Sequence, residues 1–387
     1  IGVDFGFFNS RLTGTIDAYW NTTKDLLMKT AIPGITGFTS TYANVGQTSN
    51  KGIEIALQGV LVKTRDWNVT AGFNINFNRG KVDKLADNVT GLYGTEWATS
   101  STFPKSDYVL KEGRPVGLVR GLTADGFYTT DDFTYENGVY TLKEGVADVS
   151  SAVFPNYHLH NGMNERPAGQ LAYPGMAKFK DLNDDGIIND DDVDVIGDMT
   201  PVHTGGFNIN ATYKNFDLGL YFNWSYGNEI YNVNKLAALY GYKEGAVYEN
   251  KLSIVKDCYK IYDVVNGELV ALTTPEQLNA ANANAKLPLA YSENGYVSTL
   301  GIEDGSYLRL NTLTLGYTLP KSMLQKAGIS NLRVYGSIYN VFTITGYSGI
   351  DAEVSTSTST KTYPQLGMDW GTYPRARSFV LGVNLSF

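Results

Sequence analysis

Trp67-Asn68-Val69-Thr70-Ala71-Gly72-Phe73-Asn74-Ile75-Asn76-Phe77 is the stretch on which the reading of the fold turns. Trp67, Val69, Ala71, Phe73, Ile75 and Phe77 alternate with Asn68, Thr70, Gly72, Asn74 and Asn76. A period of two places one set on each face of a β-strand, apolar on one side and polar on the other. The pattern recurs. Phe207, Ile209, Ala211 and Tyr213 oppose Asn208, Asn210 and Thr212. Phe216, Leu218, Leu220, Phe222 and Trp224 oppose Asp217, Gly219, Tyr221 and Asn223. The chain ends with Phe379, Leu381, Val383, Leu385 and Phe387 against Val380, Gly382, Asn384 and Ser386.

A water-soluble sandwich also alternates in this way, with one face in a core. Two features favour a membrane barrel instead. Aromatics on the apolar faces cluster near strand ends (Trp20, Trp67, Tyr213, Trp224, Phe387), as girdles at the two membrane interfaces require. The connections also alternate in length. Asn9-Ser10-Arg11, Lys63-Thr64-Arg65 and Lys214-Asn215 read as tight turns, whereas 21–50, 79–203, 226–304 and 343–374 read as long connections without a sustained strand pattern. Short periplasmic turns and long external loops are the habit of outer-membrane barrels, and loops of that length are uncommon in compact soluble domains.

The fold class expected is therefore all-β: part of an antiparallel transmembrane β-barrel with long external loops. Strands are predicted at 3–8, 12–20, 51–61, 67–78, 204–213, 216–225, 305–318, 331–342 and 375–387. In 305–318 the apolar phase changes from Leu308 and Leu310 to Leu313, Leu315 and Tyr317, which predicts a bulge near Asn311. Pro320 and Gly328 bracket a short helix over 320–327. An odd number of strands cannot close as an up-and-down barrel, and open edges are not tolerated in lipid. Further strands are expected from elsewhere, most simply from the same protein. Ile1-Gly2-Val3-Asp4-Phe5, with neither an initiator Met nor signal-peptide features, reads as strand interior and is expected to continue upstream.

Composition agrees. Charged residues are 18% of the chain, aromatics 13%, and Tyr alone numbers 27. The mean hydropathy of −0.19 excludes a helical membrane protein but not a barrel, whose two faces average out. A net charge of −8 argues against nucleic acid as a partner. The single cysteine, Cys258, can form neither an internal disulfide nor a cysteine-based zinc site.

Several further motifs stand out along the chain. They are Asn21-Thr22-Thr23-Lys24-Asp25-Leu26-Leu27, Gly37-Phe38, Asn44-Val45-Gly46 and Asn50-Lys51-Gly52-Ile53-Glu54. Asp181-Leu182-Asn183-Asp184-Asp185-Gly186 follows, with Gly197, Pro201 and Gly205-Gly206-Phe207 after it. Tyr226-Gly227-Asn228-Glu229-Ile230-Tyr231-Asn232, Tyr307-Leu308-Arg309-Leu310 and the Phe-ending last strand complete the set, which spans almost the whole chain. Together these motifs resemble those of SusC/RagA-type TonB-dependent importers, and the resemblance implies a barrel of about 22 strands with an internal plug, of which residues 1–387 would be the C-terminal segment, without the plug and the TonB box. It also implies a TonB complex as energy source, reached through the N-terminal region, and a SusD-like lipoprotein over the external loops. The expected location is the bacterial outer membrane.

Polar positions on the lumen face are the candidates for touching a solute: Glu54, Gln58, Asn74, Asn76, Asp217, Tyr221 and Asn223. Carboxamides, carboxylates and phenols in a fixed wall can hydrogen-bond oligosaccharides, or the backbones of oligopeptides, in many registers. The bland alternative is a wetted wall without selectivity.

Asp181, Asn183, Asp185, Gly186, the carbonyl of Ile187 and Asp192 follow the spacing of an EF-hand loop, so Ca²⁺ is the expected cofactor, as a structural clamp. Asp192 stands where Glu is usual, and its shorter arm makes bidentate ligation harder. The simpler alternative is a solvated acidic turn. His158, His160 and His203 read as surface residues rather than a metal site, and neither a nucleophile motif nor a phosphate loop stands out, so no enzyme is expected. The competing reading is a surface glycan-binding β-protein with a calcium-clamped loop. A surface hydrolase is a third.

Overall fold

The computed structural model describes the chain apart from residues 33, 39, 86–90, 99–101, 155–165, 240–251, 291–294, 325–327 and 355–364. A 9-stranded antiparallel sheet runs from one end of the chain to the other. Its strands are β1 (Gly2–Phe7), β2 (Leu12–Ala31), β3 (Ser40–Lys63), β4 (Trp67–Lys84), β5 (His203–Tyr213), β6 (Phe216–Tyr226), β7 (Tyr307–Thr318), β8 (Asn331–Thr345) and β9 (Ser378–Ser386). Each pairs with its neighbours in sequence order, and β1 and β9 each have a single neighbour among the described residues. No described helix is long and apolar enough to cross a membrane, which says nothing of a β-barrel.

Register carries the alternation across the sheet. Ala18, Ile53 and Phe77 lie side by side, as do Ile16, Ile55 and Ile75. Further along, Ala71, Ile209, Leu220, Leu313, Ile338 and Phe379 form one outward row. Aromatic neighbours along such rows meet: Phe207 and Phe222 stack at 4.3 Å, while Trp67 with Tyr213 at 4.4 Å and Phe216 with Tyr317 at 4.7 Å meet at a tilt. Such pairs each add about 0.5–1.5 kcal/mol beyond area burial. The bulge expected near Asn311 is present, since the pairing of β7 skips that residue on both sides. On β8 it is answered by Asn340, at φ 52°. Without the bulge, Leu308 and Leu310 would point into the lumen.

Two expectations are corrected. Residues 21–50 are mostly not a loop: β2 and β3 pair from Leu12–Gly59 out to Ala31–Ser40. At about 3.3 Å per residue, β2 reaches roughly 65 Å, far beyond the 9–11 residues that cross a bilayer. Beyond the membrane no solvent imposes alternation, so the periodic signal stops although the ladder continues. The long connections are not structureless either. Residues 102–154 and 166–188 share one hydrophobic core with 259–290 and Tyr296, built around Leu122, Tyr128, Tyr140, Tyr173, Phe179, Leu278 and Tyr296.

Hydrogen bonds stitch the two connections together. The Leu122 amide donates to the Val297 carbonyl at 2.9 Å, and the Val297 amide to the Phe103 carbonyl at 2.7 Å. The Tyr140 hydroxyl donates to the Thr273 carbonyl at 3.1 Å. Gly121 is required at this seam, because a Cβ there would lie 2.4 Å from the Val297 carbonyl oxygen. The last connection joins through Tyr108, whose hydroxyl donates to the Leu366 carbonyl at 2.8 Å. The helix expected over 320–327 is described at Lys321–Leu324, in the turn between β7 and β8; 325–327 lie outside the described residues.

Candidate functional site: the polar face of the wall

All the lumen candidates fall on one face. Glu54 and Asn76 are direct cross-strand partners beside Asp17. Gln58 leads a row through Gly72, Asn208 and Tyr221, and Asn74 one through Gly206 and Asn223. Asp217 sits nearer the tight turns, beside Thr212 and Gly316. This face holds a concavity of about 600 Å³ lined by Thr13, Thr15, Gln58, Asn74, Asn208 and Tyr221, among others.

The face is internally organised. The Tyr221 hydroxyl donates to Asn210 Oδ1 at 3.1 Å, and Asn210 Nδ2 to Asn208 Oδ1 at 3.0 Å. Asn223 Nδ2 donates to the Tyr307 hydroxyl at 3.2 Å. The Oδ1 atoms of Asn76 and Asn223 are buried without a partner in this structure. Asp217 receives a two-pronged pair from Arg333, with Nε to Oδ1 at 2.8 Å and Nη2 to Oδ2 at 2.5 Å. Gly316 makes room for that pair, since a Cβ would stand 2.4 Å from Asp217 Oδ1. Reading the sequence missed Arg333 because it lies alone among apolar neighbours. Asn208 and Asn210 were visible as the polar half of β5, and only their hydrogen bonds to Tyr221 single them out.

Arg309 was also missed, although its motif was noted. It projects from β7 into the lumen mouth, 3% exposed, and meets Asp351 and, at 3.2 Å, Glu353 from the following connection. Thr343 accepts from its Nε at 3.0 Å, and Arg375 pairs with the other oxygen of Glu353 at 2.7 Å. Burial works against ionising Asp351, but the Glu353 amide and the Arg309 guanidinium outweigh it and leave the carboxyl below its ordinary value. Close by, Glu303 accepts from Ser348 and Lys235, and Tyr347 donates to Asp369 at 2.6 Å. The connection after β8 is thus pinned across the mouth by charge.

The acidic loop lies away from the wall. Asp181 accepts from the amides of Asp185 and Gly186, at 3.3 and 2.7 Å, and Asp185 from that of Ile187 at 2.9 Å. Asn183 Oδ1 accepts from the Asp185 amide at 3.2 Å. Asp192 is fully enclosed and accepts from the Leu182 and Asn189 amides, at 2.7 and 2.8 Å. The Ile187 carbonyl accepts from Asn189 Nδ2 at 3.1 Å. The side-chain oxygens thus hold backbone amides. Among the described residues no group of three His, Cys, Asp or Glu side chains gathers as a metal cage. His203 lies on the outer wall, stacked on Tyr226 at 5.0 Å and accepting from Trp224 Nε1 at 3.0 Å. His158 and His160 lie outside the described residues.

No family model matches the chain. The TonB-dependent receptor P3 of Formosa agariphila is 30% identical over 392 residues, covering 100% of this chain and 33% of that relative. The TonB-dependent receptor SusC of Bacteroides thetaiotaomicron is 28% identical over 394 residues, covering 100% of this chain and 31% of its own length. The matched part is a C-terminal portion of these relatives. The match to TonB-dependent receptors thus runs the whole length of the chain and fits a barrel segment of the SusC/RagA type. A solved RagAB peptide importer in its closed-closed state shares the fold, with a TM-score of 0.69 at 24% identity, over 100% of this chain and 35% of that one. The chain spans about a third of the length of the curated relatives it matches. Its place is the bacterial outer membrane.

Proposed function

We propose that the chain supplies part of the wall and the external mouth of a TonB-dependent outer-membrane importer. The observation that carries this is the inside-out register of the sheet: apolar rows outward, hydrogen-bonding rows inward, across every strand from β1 to β9. The free edges of β1 and β9 are completed by further strands of the same protein, because an unpaired edge in lipid leaves amides and carbonyls unsatisfied. An upstream plug and TonB box supply closure and energy, and no covalent chemistry is asked of the chain.

Oligosaccharides are the substrate class the lumen suits best, with oligopeptides second. Asn74, Asn208, Asn210, Tyr221 and Asn223 offer donors and acceptors without a dominant charge, matching the alternating hydroxyls of a sugar chain. A SusD-like lipoprotein seated on the body formed by 102–154, 166–188 and 259–290 is the proposed capture partner. Uptake of labelled glycans and peptides by a strain lacking the gene tests the reading. Loss of oligosaccharide uptake supports it. Loss of peptide uptake alone would replace the substrate class, and unchanged uptake of both would remove the importer reading.

For the acidic loop we propose a clamp by Ca²⁺, supported by the spacing of Asp181, Asn183, Asp185 and Asp192 and by the sharp turn at Gly186, φ 82°. Affinity would be modest, on the order of 10⁻⁴–10⁻³ M. Calorimetric titration of Ca²⁺ into the purified protein and an Asp185→Ala variant tests it: heat lost in the variant supports the clamp, and no heat in either removes it.

A further inference from the structure

The outward rows change character at the external end of β2–β4. From Trp67 to Phe77 the outward residues of β4 are all apolar. That is about 33 Å along the strand, or roughly 24 Å of height at a 45° tilt, the thickness of the apolar band of such barrels. The next outward row is Trp20, Lys51 and Arg79, which are direct cross-strand partners. One row further, Lys81 faces Ser49. The cations therefore stand at the level of the lipid headgroups, above an aromatic belt in which His203 meets Phe77, Trp224 and Tyr226.

Lys51 and Arg79 are like charges placed directly opposite each other, an arrangement that opposes strand pairing. Further along the same face of β4, Asp83 is already engaged: it accepts from Ser49 at 2.8 Å and pairs with Lys81 at 3.3 Å. Among the described residues neither Lys51 nor Arg79 has an ion pair or a side-chain hydrogen bond. Lys51 is exposed, and Trp20 is 77% exposed on the same face. An external anion is what this row lacks.

We propose that Lys51 and Arg79, flanked by Trp20, bind the phosphate of a lipid headgroup in the outer leaflet. The guanidinium gives two parallel donors to phosphate oxygens, the ammonium adds a point charge, and the indole lies along the top of the acyl region. The bound phosphate relieves the cross-strand repulsion, so the lipid also fixes the stem of the hairpin that β2 and β3 carry beyond the membrane. The inference rests on the membrane placement of the wall.

The test is native mass spectrometry of the full receptor in detergent, titrated with lipid A and with its dephosphorylated form. Wild type should retain the phosphorylated lipid. Lys51→Gln/Arg79→Gln should weaken that retention by about thirtyfold, from roughly a factor of five per cation, with no change for the dephosphorylated lipid. Both substitutions are on exposed or half-buried side chains, and heat-modifiable mobility on gels verifies that the barrel is folded. Equal retention of the two lipids by wild type, or no difference in the double variant, would overturn the site while leaving the barrel in the membrane. Displacement of the lipid by millimolar inorganic phosphate would overturn the lipid as the ligand. A receptor that stays in solution without detergent would overturn the membrane placement itself.

Discussion

On β9, Leu381 is 88% exposed and Phe379 72%, whereas Leu122, Tyr140 and Tyr173 in the body above the wall are fully enclosed. One chain therefore uses the same residue types in opposite senses. In the wall, apolar side chains face outward and the polar ones line the interior; in the body, apolar side chains are inside and water surrounds the rest. The difference identifies the solvent each part was built for. A sheet apolar on its outer face has a driving force to stay folded only where hydrocarbon surrounds it, because that surface would otherwise be exposed to water. The body needs only water, and its core is continuous across connections that are far apart in sequence.

The junction between the two regions is where the largest effect is expected. Arg309 stands on the wall and Asp351 on the connection above it, both nearly buried. Arg309→Gln leaves a buried carboxylate without its cation, which costs about 3–5 kcal/mol. It should free residues 346–354 to hydrogen exchange while the wall keeps its mobility on gels. Acid should do the same. The folded-state pKa of Asp351 is below the ordinary 3.8, so its stabilisation is fully present above that value and is lost as pH falls through the lower, folded value. Protection of 346–354 that is unchanged down to acid denaturation would contradict the latch.

Leu122→Ala should cost about 2–5 kcal/mol through loss of contacts and a residual cavity. Limited proteolysis should then cut the body while the wall stays resistant; a joint collapse of both would show that they are one cooperative unit. Leu381→Arg should cost about 2–4 kcal/mol near mid-bilayer. Val264→Arg, at a position 64% exposed in the body, should stay within about 0.5 kcal/mol. Urea titration in lipid vesicles measures both, and similar costs at the two sites would erase the proposed difference in solvent.

The same contrast explains what could be read in the sequence. The wall strands were legible because lipid on one side and lumen on the other force alternation at every step, and the bulge at Asn311 was legible as a break in phase. The far halves of β2 and β3 were not, since water on both faces lets Asn21, Thr23, Asn44 and Gln47 follow without a period. The body was illegible for another reason. Its strands are short, such as Tyr108–Leu110 and Ala177–Phe179, and the seam at Leu122 and Val297 joins residues distant in sequence. Lumen residues could be placed on a face, but Asp217 gave no sign of Arg333 and Arg309 none of Asp351, because partners across strands leave no local pattern.

Topology is the central claim, and one labelling experiment reaches it. Cys258 is buried, so the native chain should be silent toward a membrane-impermeant maleimide. Glu144→Cys places a thiol on the body, and Arg65→Cys places one in the tight turn between β3 and β4; both positions are exposed. On intact cells lacking the proposed partner lipoprotein, position 144 should label fully and position 65 only after the outer membrane is permeabilised. Equal labelling of both on intact cells, or labelling of position 65 alone, would contradict the account.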